Sequence, residues 1–153
     1  MSNITFLASS KPITLPDEIK EHNNRPSYAS EKEAIFFSVY ELDPSWIKEI
    51  EGLFSMPYLY EAAGLESPLF LTYLEKHMET GDVIEIYSVA NQHALEKYLQ
   101  RLRETPQPIH INTDSYTYQD VYGQYQLNPK KWVEELNHKN YITDRGVTTI
   151  VKY

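Results

Sequence analysis

"DSYTYQDVYGQYQLNP", residues 114–129, carries four tyrosines in ten positions, and the conformation it takes sets how the second half of the chain is built. Taken as one uninterrupted strand, it places Tyr116, Tyr118, Asp120 and Tyr122 on one face and Thr117, Gln119, Val121, Gly123, Tyr125 and Leu127 on the other. Neither face is cleanly apolar. A bulge at Gly123 would shift the register by one and bring Tyr116, Tyr118, Tyr125 and Leu127 to a common side. A tyrosine ring packs while its hydroxyl reaches water or an acceptor. The segment therefore suits either a half-wet sheet face or an exposed aromatic platform for a partner.

On either side of this segment the elements alternate. Downstream, Asn128-Pro129 opens a helix with Trp132, Val133 and Leu136 inward, "TDRG" at 143–146 makes a turn, and Val147–Tyr153 is a terminal strand. Upstream lies a short strand at Ile109–Ile111, behind the breakers Pro106 and Pro108. Before it, Asn91 caps a helix whose inner stripe is Ala94, Leu95, Tyr98, Leu99 and Leu102, and Val83–Val89 ("VIEIYSV") is a strand. From Val83 onward the order is β-α-β-β-α-β. That string fits a split βαβ (ferredoxin-like) arrangement, and other topologies share it.

The first half follows the same logic. Asn3–Leu7 is a short strand, and residues 8–32 form a polar, loop-rich segment in which Pro16–Glu21 offers one or two helical turns. Ala34–Leu42 ("AIFFSVYEL") has apolar residues on both faces, which predicts a central strand. Asp43-Pro44 then caps a helix with Trp46, Ile47, Ile50, Leu53 and Phe54 on one stripe; Gly52 inside it conflicts with helix propensity. A short helical piece around Tyr58–Ala63 ends at Gly64. Ser67-Pro68 opens another helix with Leu69, Phe70, Tyr73, Leu74 and Met78 inward, and Gly81 terminates it. The fold class expected is α+β: a single domain spanning 1–153, with a mixed or antiparallel sheet. Its helices pack through Trp46, Phe70, Tyr98, Leu99, Trp132 and Leu136.

Charge and composition narrow the function. The net charge is −8, with 13 acids against 6 bases in residues 1–80 and 9 against 8 in residues 81–153. Such a chain repels a phosphate backbone, so nucleic-acid binding is disfavoured. No apolar run approaches the ~18 residues that span a bilayer. The N-terminus has no basic region of the signal-peptide kind, so a soluble, cytoplasmic protein is expected. The absence of cysteine excludes a disulfide framework, a thiolate metal site and a cysteine nucleophile.

Chemistry-bearing motifs are missing. His22, His77, His93, His110 and His138 include no pair spaced to put two imidazoles on one helix face, and there is no HExxH, so no metal site is expected. The five glycines are scattered, without GxGxxG or a phosphate-binding loop, and no GxSxG occurs. No catalytic residue and no cofactor is assigned. Glu85 interrupts "VIEIY" on the face of Val83 and Tyr87. Buried, it would suit acid–base chemistry; on a partly open face, the reading favoured here, it is simply solvated. Arg101 and Arg103 complement a helix C-terminus, while Lys130-Lys131 stand at a helix start.

The expected activity is therefore binding of another macromolecule, as a regulatory, inhibitory or immunity-type factor. Tyr116, Tyr118, Asp120, Tyr122 and Tyr125 are the candidate contact residues, and the acidic first half suits a basic protein partner. The competing expectation is an enzyme or small-ligand binder assembled from dispersed groups, Glu85 and His110 among them. A structural subunit of a homo-oligomer is the third.

Overall fold

The computed structural model describes residues 3–13, 37–139 and 141–153. Its elements are β1 (Ile4–Ser9), β2 (Ser38–Glu41), α1 (Pro44–Glu49), β3 (Tyr58–Ala63), α2 (Pro68–His77), β4 (Val83–Val89), α3 (Leu95–Glu104, after a 3-10 turn), β5 (Ile109–Asn112), β6 (Thr117–Asp120), β7 (Gly123–Gln126), α4 (Trp132–Asn137) and β8 (Thr148–Val151). The strands form one eight-stranded sheet in the order β2-β3-β1-β4-β8-β5-β6-β7. Among the described residues only the β5–β8 pair is parallel. The class is α+β with a mixed sheet.

Alternation along the strands sends side chains into two separate cores. Ile84 and Ile86 of β4 join Leu7, Ile111 and Ile150 beneath α2 and α4, which contribute Phe70, Leu71, Leu74, Trp132 and Leu136. Tyr87 and Val89 point the other way, meeting Ile4, Phe6 and Leu95, with Trp46, Tyr98 and Leu99 packed around them. Helices thus cover both faces of the first half of the sheet. Three predicted caps hold: Asp43 Oδ1 accepts from the Ser45 N–H at 2.9 Å, Ser67 Oγ from Leu69 at 3.2 Å, and Asn91 Oδ1 from His93 at 3.0 Å. Asn128-Pro129 does not open α4: Asn128 Oδ1 accepts the Lys130 N–H at 2.9 Å in a turn, and the helix starts at Trp132 without a side-chain cap.

Four further expectations about the strands and helices are corrected. The strand read at Ala34–Leu42 is not central in its described part: β2 lies at the sheet edge, and Tyr40 is 61% exposed. Tyr58–Ala63 is not helical but a strand, because pairing with β1 on one side and β2 on the other overrides the local preference of its leucine, glutamate and alanines. The helix after Asp43 stops at Glu49, short of Phe54. Gly52 takes φ +83°, and Ile47 is 45% exposed rather than inward. Pro16–Glu21, His22, residues 34–36 and most of the loop-rich segment at 8–32 lie outside the described residues.

The fourth correction concerns the tyrosine segment, which is a hairpin and not one bulged strand. β6 and β7 pair antiparallel with Tyr118 opposite Tyr125 and Asp120 opposite Gly123, leaving Val121-Tyr122 as a two-residue turn. Asp120 Oδ1 accepts the Tyr122 N–H at 2.9 Å, and Gly123 takes φ +141°, a conformation that side-chain-bearing residues rarely adopt. The set expected on one side survives by this other device. Tyr118 and Leu127 are buried in the first core, Tyr116 packs against that core, and Tyr125 pairs across from Tyr118. The chain from Val83 therefore reads β-α-β-β-β-α-β. β4 and β5 flank β8, one antiparallel and one parallel to it, so they run antiparallel to each other, unlike the outer strands of a split βαβ unit.

Candidate functional site

The registers bring five chain segments to one end of the sheet. β4 ends there, β1, β5 and β8 begin there, and the β6–β7 turn projects beside them. Backbone hydrogen bonds fix the loop that precedes β8 between its neighbours: Ser88 N–H donates to Thr143 O at 3.2 Å, and Gln107 N–H donates to Arg145 O at 3.0 Å. Gly146 allows this closeness. A Cβ there would stand 2.0 Å from the carbonyl oxygen of Gln107.

The result is an open groove of about 930 Å³. Tyr118, Asp120, Val121, Tyr122 and Tyr125 of the hairpin form one wall, and Ile142–Arg145 together with Ser88–Ala90 form the other; Asn3, Gln107, Ile109 and Lys139 complete the lining. Tyr122 stands at the lip, 82% exposed, beside Val121 at 52% and Tyr125 at 42%. Tyr118 is nearly buried. Its hydroxyl is pushed up to about 12 by burial, reinforced by the charge and hydrogen bond of Asp120, so the phenol stays protonated across the physiological range.

Lys139 is the electrostatic centre of this wall. Its ammonium lies 4.8 Å from the Tyr118 ring centroid and 4.4 Å from that of Tyr125, the two rings being 6.1 Å apart, so it sits over the gap between them. Asp120, Asp144 and Arg145 add two negative charges and one positive, leaving the lining balanced. Behind the groove the Tyr87 hydroxyl is buried without a hydrogen-bond partner among the described residues. Burial, then the charge of Asp144, pushes it up to about 12.

Of the residues singled out in the sequence, Tyr118, Asp120, Tyr122 and Tyr125 share the groove. Tyr116 does not line it. It takes φ +55° just before β6 and lays its ring 6.1 Å from that of Trp132. Glu85 and His110 are elsewhere, and the reading of Glu85 as solvated is corrected. Its side chain is buried, and its Oε1 accepts the backbone N–H groups of Ser55 and Met56, each at 2.8 Å, so it fastens the loop before β3 to the sheet. His110 is exposed; it shares a cross-strand row with Glu85, but Thr149 stands between them. Two strand spacings separate the acid from the imidazole by roughly 10 Å, so they make no proton-transfer pair. His77, His93 and His138 are exposed, and among the described residues no three histidine or carboxylate side chains gather as metal ligands.

Lys139, Asp144, Arg145, Gln107 and Ser88 escaped the sequence reading. Ser88 lies near the end of β4 and the other four in loops, and their convergence is set by strand order, which no local pattern announces. Among the described residues no helix is long and apolar enough to cross a membrane. The chain matches no protein-family model, no curated protein and no solved structure.

Proposed function

We propose that this chain works in the cytoplasm by binding another protein through the hairpin-tip groove, as a regulatory or inhibitory factor. The observation that carries this reading is the grouping of an 82% exposed Tyr122 with Val121 and Tyr125 along the lip of a polar groove. A cluster of exposed large side chains offers a surface for a partner to cover, and tyrosine brings contact area at low entropic cost. The net charge of −8 favours a basic partner at long range, with association slowed by salt.

A second reading has its own support. A groove of about 930 Å³ is large enough for a small molecule, whose sites span roughly 300–1,000 Å³. One comparison separates the two. Affinity capture from the native cell is run with the wild type and with a Val121→Ser, Tyr122→Ser variant of the same thermal stability. Proteins held by the wild type and lost by the variant support the partner reading. Identical capture profiles refute it, and a metabolite released from the wild type alone supports the ligand reading instead.

A further inference from the structure

β7 is the last strand of the sheet, and no described residue pairs with its outer side. The hydrogen-bond phase of the hairpin says which groups face outward. The Leu127 N–H donates to Tyr116 O at 2.7 Å, and antiparallel partners alternate between bonded and non-bonded pairs. Tyr116–Leu127, Tyr118–Tyr125 and Asp120–Gly123 are therefore the bonded pairs. The backbone N–H and C=O groups of Gln124 and Gln126 consequently point away from β6.

Natural sheets guard such an edge with charges, proline, a bulge or a covering element. Between Gly123 and Gln126 there is no charge and no proline, the register runs without a bulge, and all four residues are exposed. The opposite edge differs: β2 carries Glu41 and belongs to the half with 13 acids against 6 bases. In a chain of net charge −8, β7 itself carries no charge, so two copies can pair there with no like charges on the paired strands.

We propose that a second copy of this chain adds to the sheet at β7, antiparallel, about a two-fold axis through Tyr125. Gln124 of each copy then exchanges backbone hydrogen bonds with Gln126 of the other, which satisfies the outward groups of both strands. Tyr125 meets its own counterpart as a non-bonded pair and extends the Tyr118–Tyr125 ladder across the axis. Lys139 does not obstruct this, since its ammonium lies over the gap between Tyr118 and Tyr125. The shared edge is short, so the dimer dissociates on dilution. It does not depend on the groove being a binding site.

Sedimentation equilibrium of the full chain across a dilution series tests the proposal. A monomer–dimer equilibrium that tightens with added salt is expected, because salt screens the repulsion between two acidic chains. Gln124→Pro, which deletes one outward N–H, should weaken it about tenfold or more. The chain has no cysteine, so Tyr125→Cys introduces a single thiol. A non-bonded antiparallel pair has Cα atoms about 4.5 Å apart, within disulfide reach, so mild oxidation should link this variant quantitatively. His110→Cys, exposed on an inner strand, should stay monomeric. A wild type that is monomeric at every concentration overturns the proposal. So does Tyr125→Cys linking no faster than His110→Cys, an outcome that can be read even where Gln124→Pro fails to fold.

Discussion

Glu85→Ala removes a carboxylate whose Oε1 accepts the backbone N–H groups of both Ser55 and Met56 at 2.8 Å. A hydrogen bond to a charged group contributes about 1.5–3 kcal/mol, so two bonds set a ceiling near 6 kcal/mol. Ser55 is exposed and Met56 half-buried, so water reaches the released amides and recovers part of that. The expected loss is about 3 kcal/mol for alanine. For Glu85→Gln it is about 1–2 kcal/mol, since the amide oxygen still accepts but the charge is gone. For a chain of this length the alanine variant should melt about 6–12 °C lower. Urea unfolding followed by circular dichroism reads the difference as a shift of midpoint at unchanged slope. An alanine variant within about 0.5 kcal/mol of wild type would mean that Glu85 is solvated and the loop is held by something else. Because Glu85 does not line the groove, this stability loss should leave partner capture intact at temperatures where the variant is folded.

Other perturbations address the core, the groove floor and the buried phenols. Trp132 is 2% exposed and donates its indole N–H to Glu75 at 3.2 Å; Trp132→Ala should cost about 3–5 kcal/mol in the same urea assay, and a near-neutral result would refute the placement of α4. Gly146→Ala drives a Cβ into the Gln107 backbone and should cost about 3 kcal/mol, read as a lowered midpoint; a variant as stable as wild type would contradict the close approach of the loop to β5. Tyr118 and Tyr87 both have folded values raised from 10.0 to about 12, because folding favours the neutral phenol. Their contribution is complete below pH 10 and lost as pH rises from 10 through 12. Stability measured against alkaline pH should fall in that window, less steeply in Tyr118→Phe. Phenolate absorbance rising in full near the ordinary value, with no late-titrating fraction, would count against their burial.

Much of the fold is legible in the sequence wherever a local device acts alone. Asp43, Ser67 and Asn91 each accept the amide expected of a cap, and the periodicities of Val83–Val89 and Pro68–His77 are satisfied by burial. The misreadings arise where a distant partner decides. Tyr58–Ala63 has helix-compatible residues and becomes a strand because two strands bracket it. The tyrosine hairpin turns on Val121-Tyr122, residue types with no turn signature. Only Asp120, hydrogen-bonded to Tyr122, and Gly123 mark the place, and a lone glycine in such a run is as compatible with a bulge as with a turn. The candidate site shows the same division. Tyr118, Asp120, Tyr122 and Tyr125 are visible as a cluster along the chain, whereas Lys139, Asp144 and Arg145 join them only once β8 is inserted between β4 and β5.

The claim that the hairpin tip is the working surface can be read directly with a photo-crosslinking amino acid at position 122, compared with the same group at position 110 on the exposed face of β5. Irradiation in the native cell should give a discrete heavier adduct from position 122 and none from position 110. An adduct from position 110 alone, or equal labelling from both, would place the contact elsewhere on the molecule.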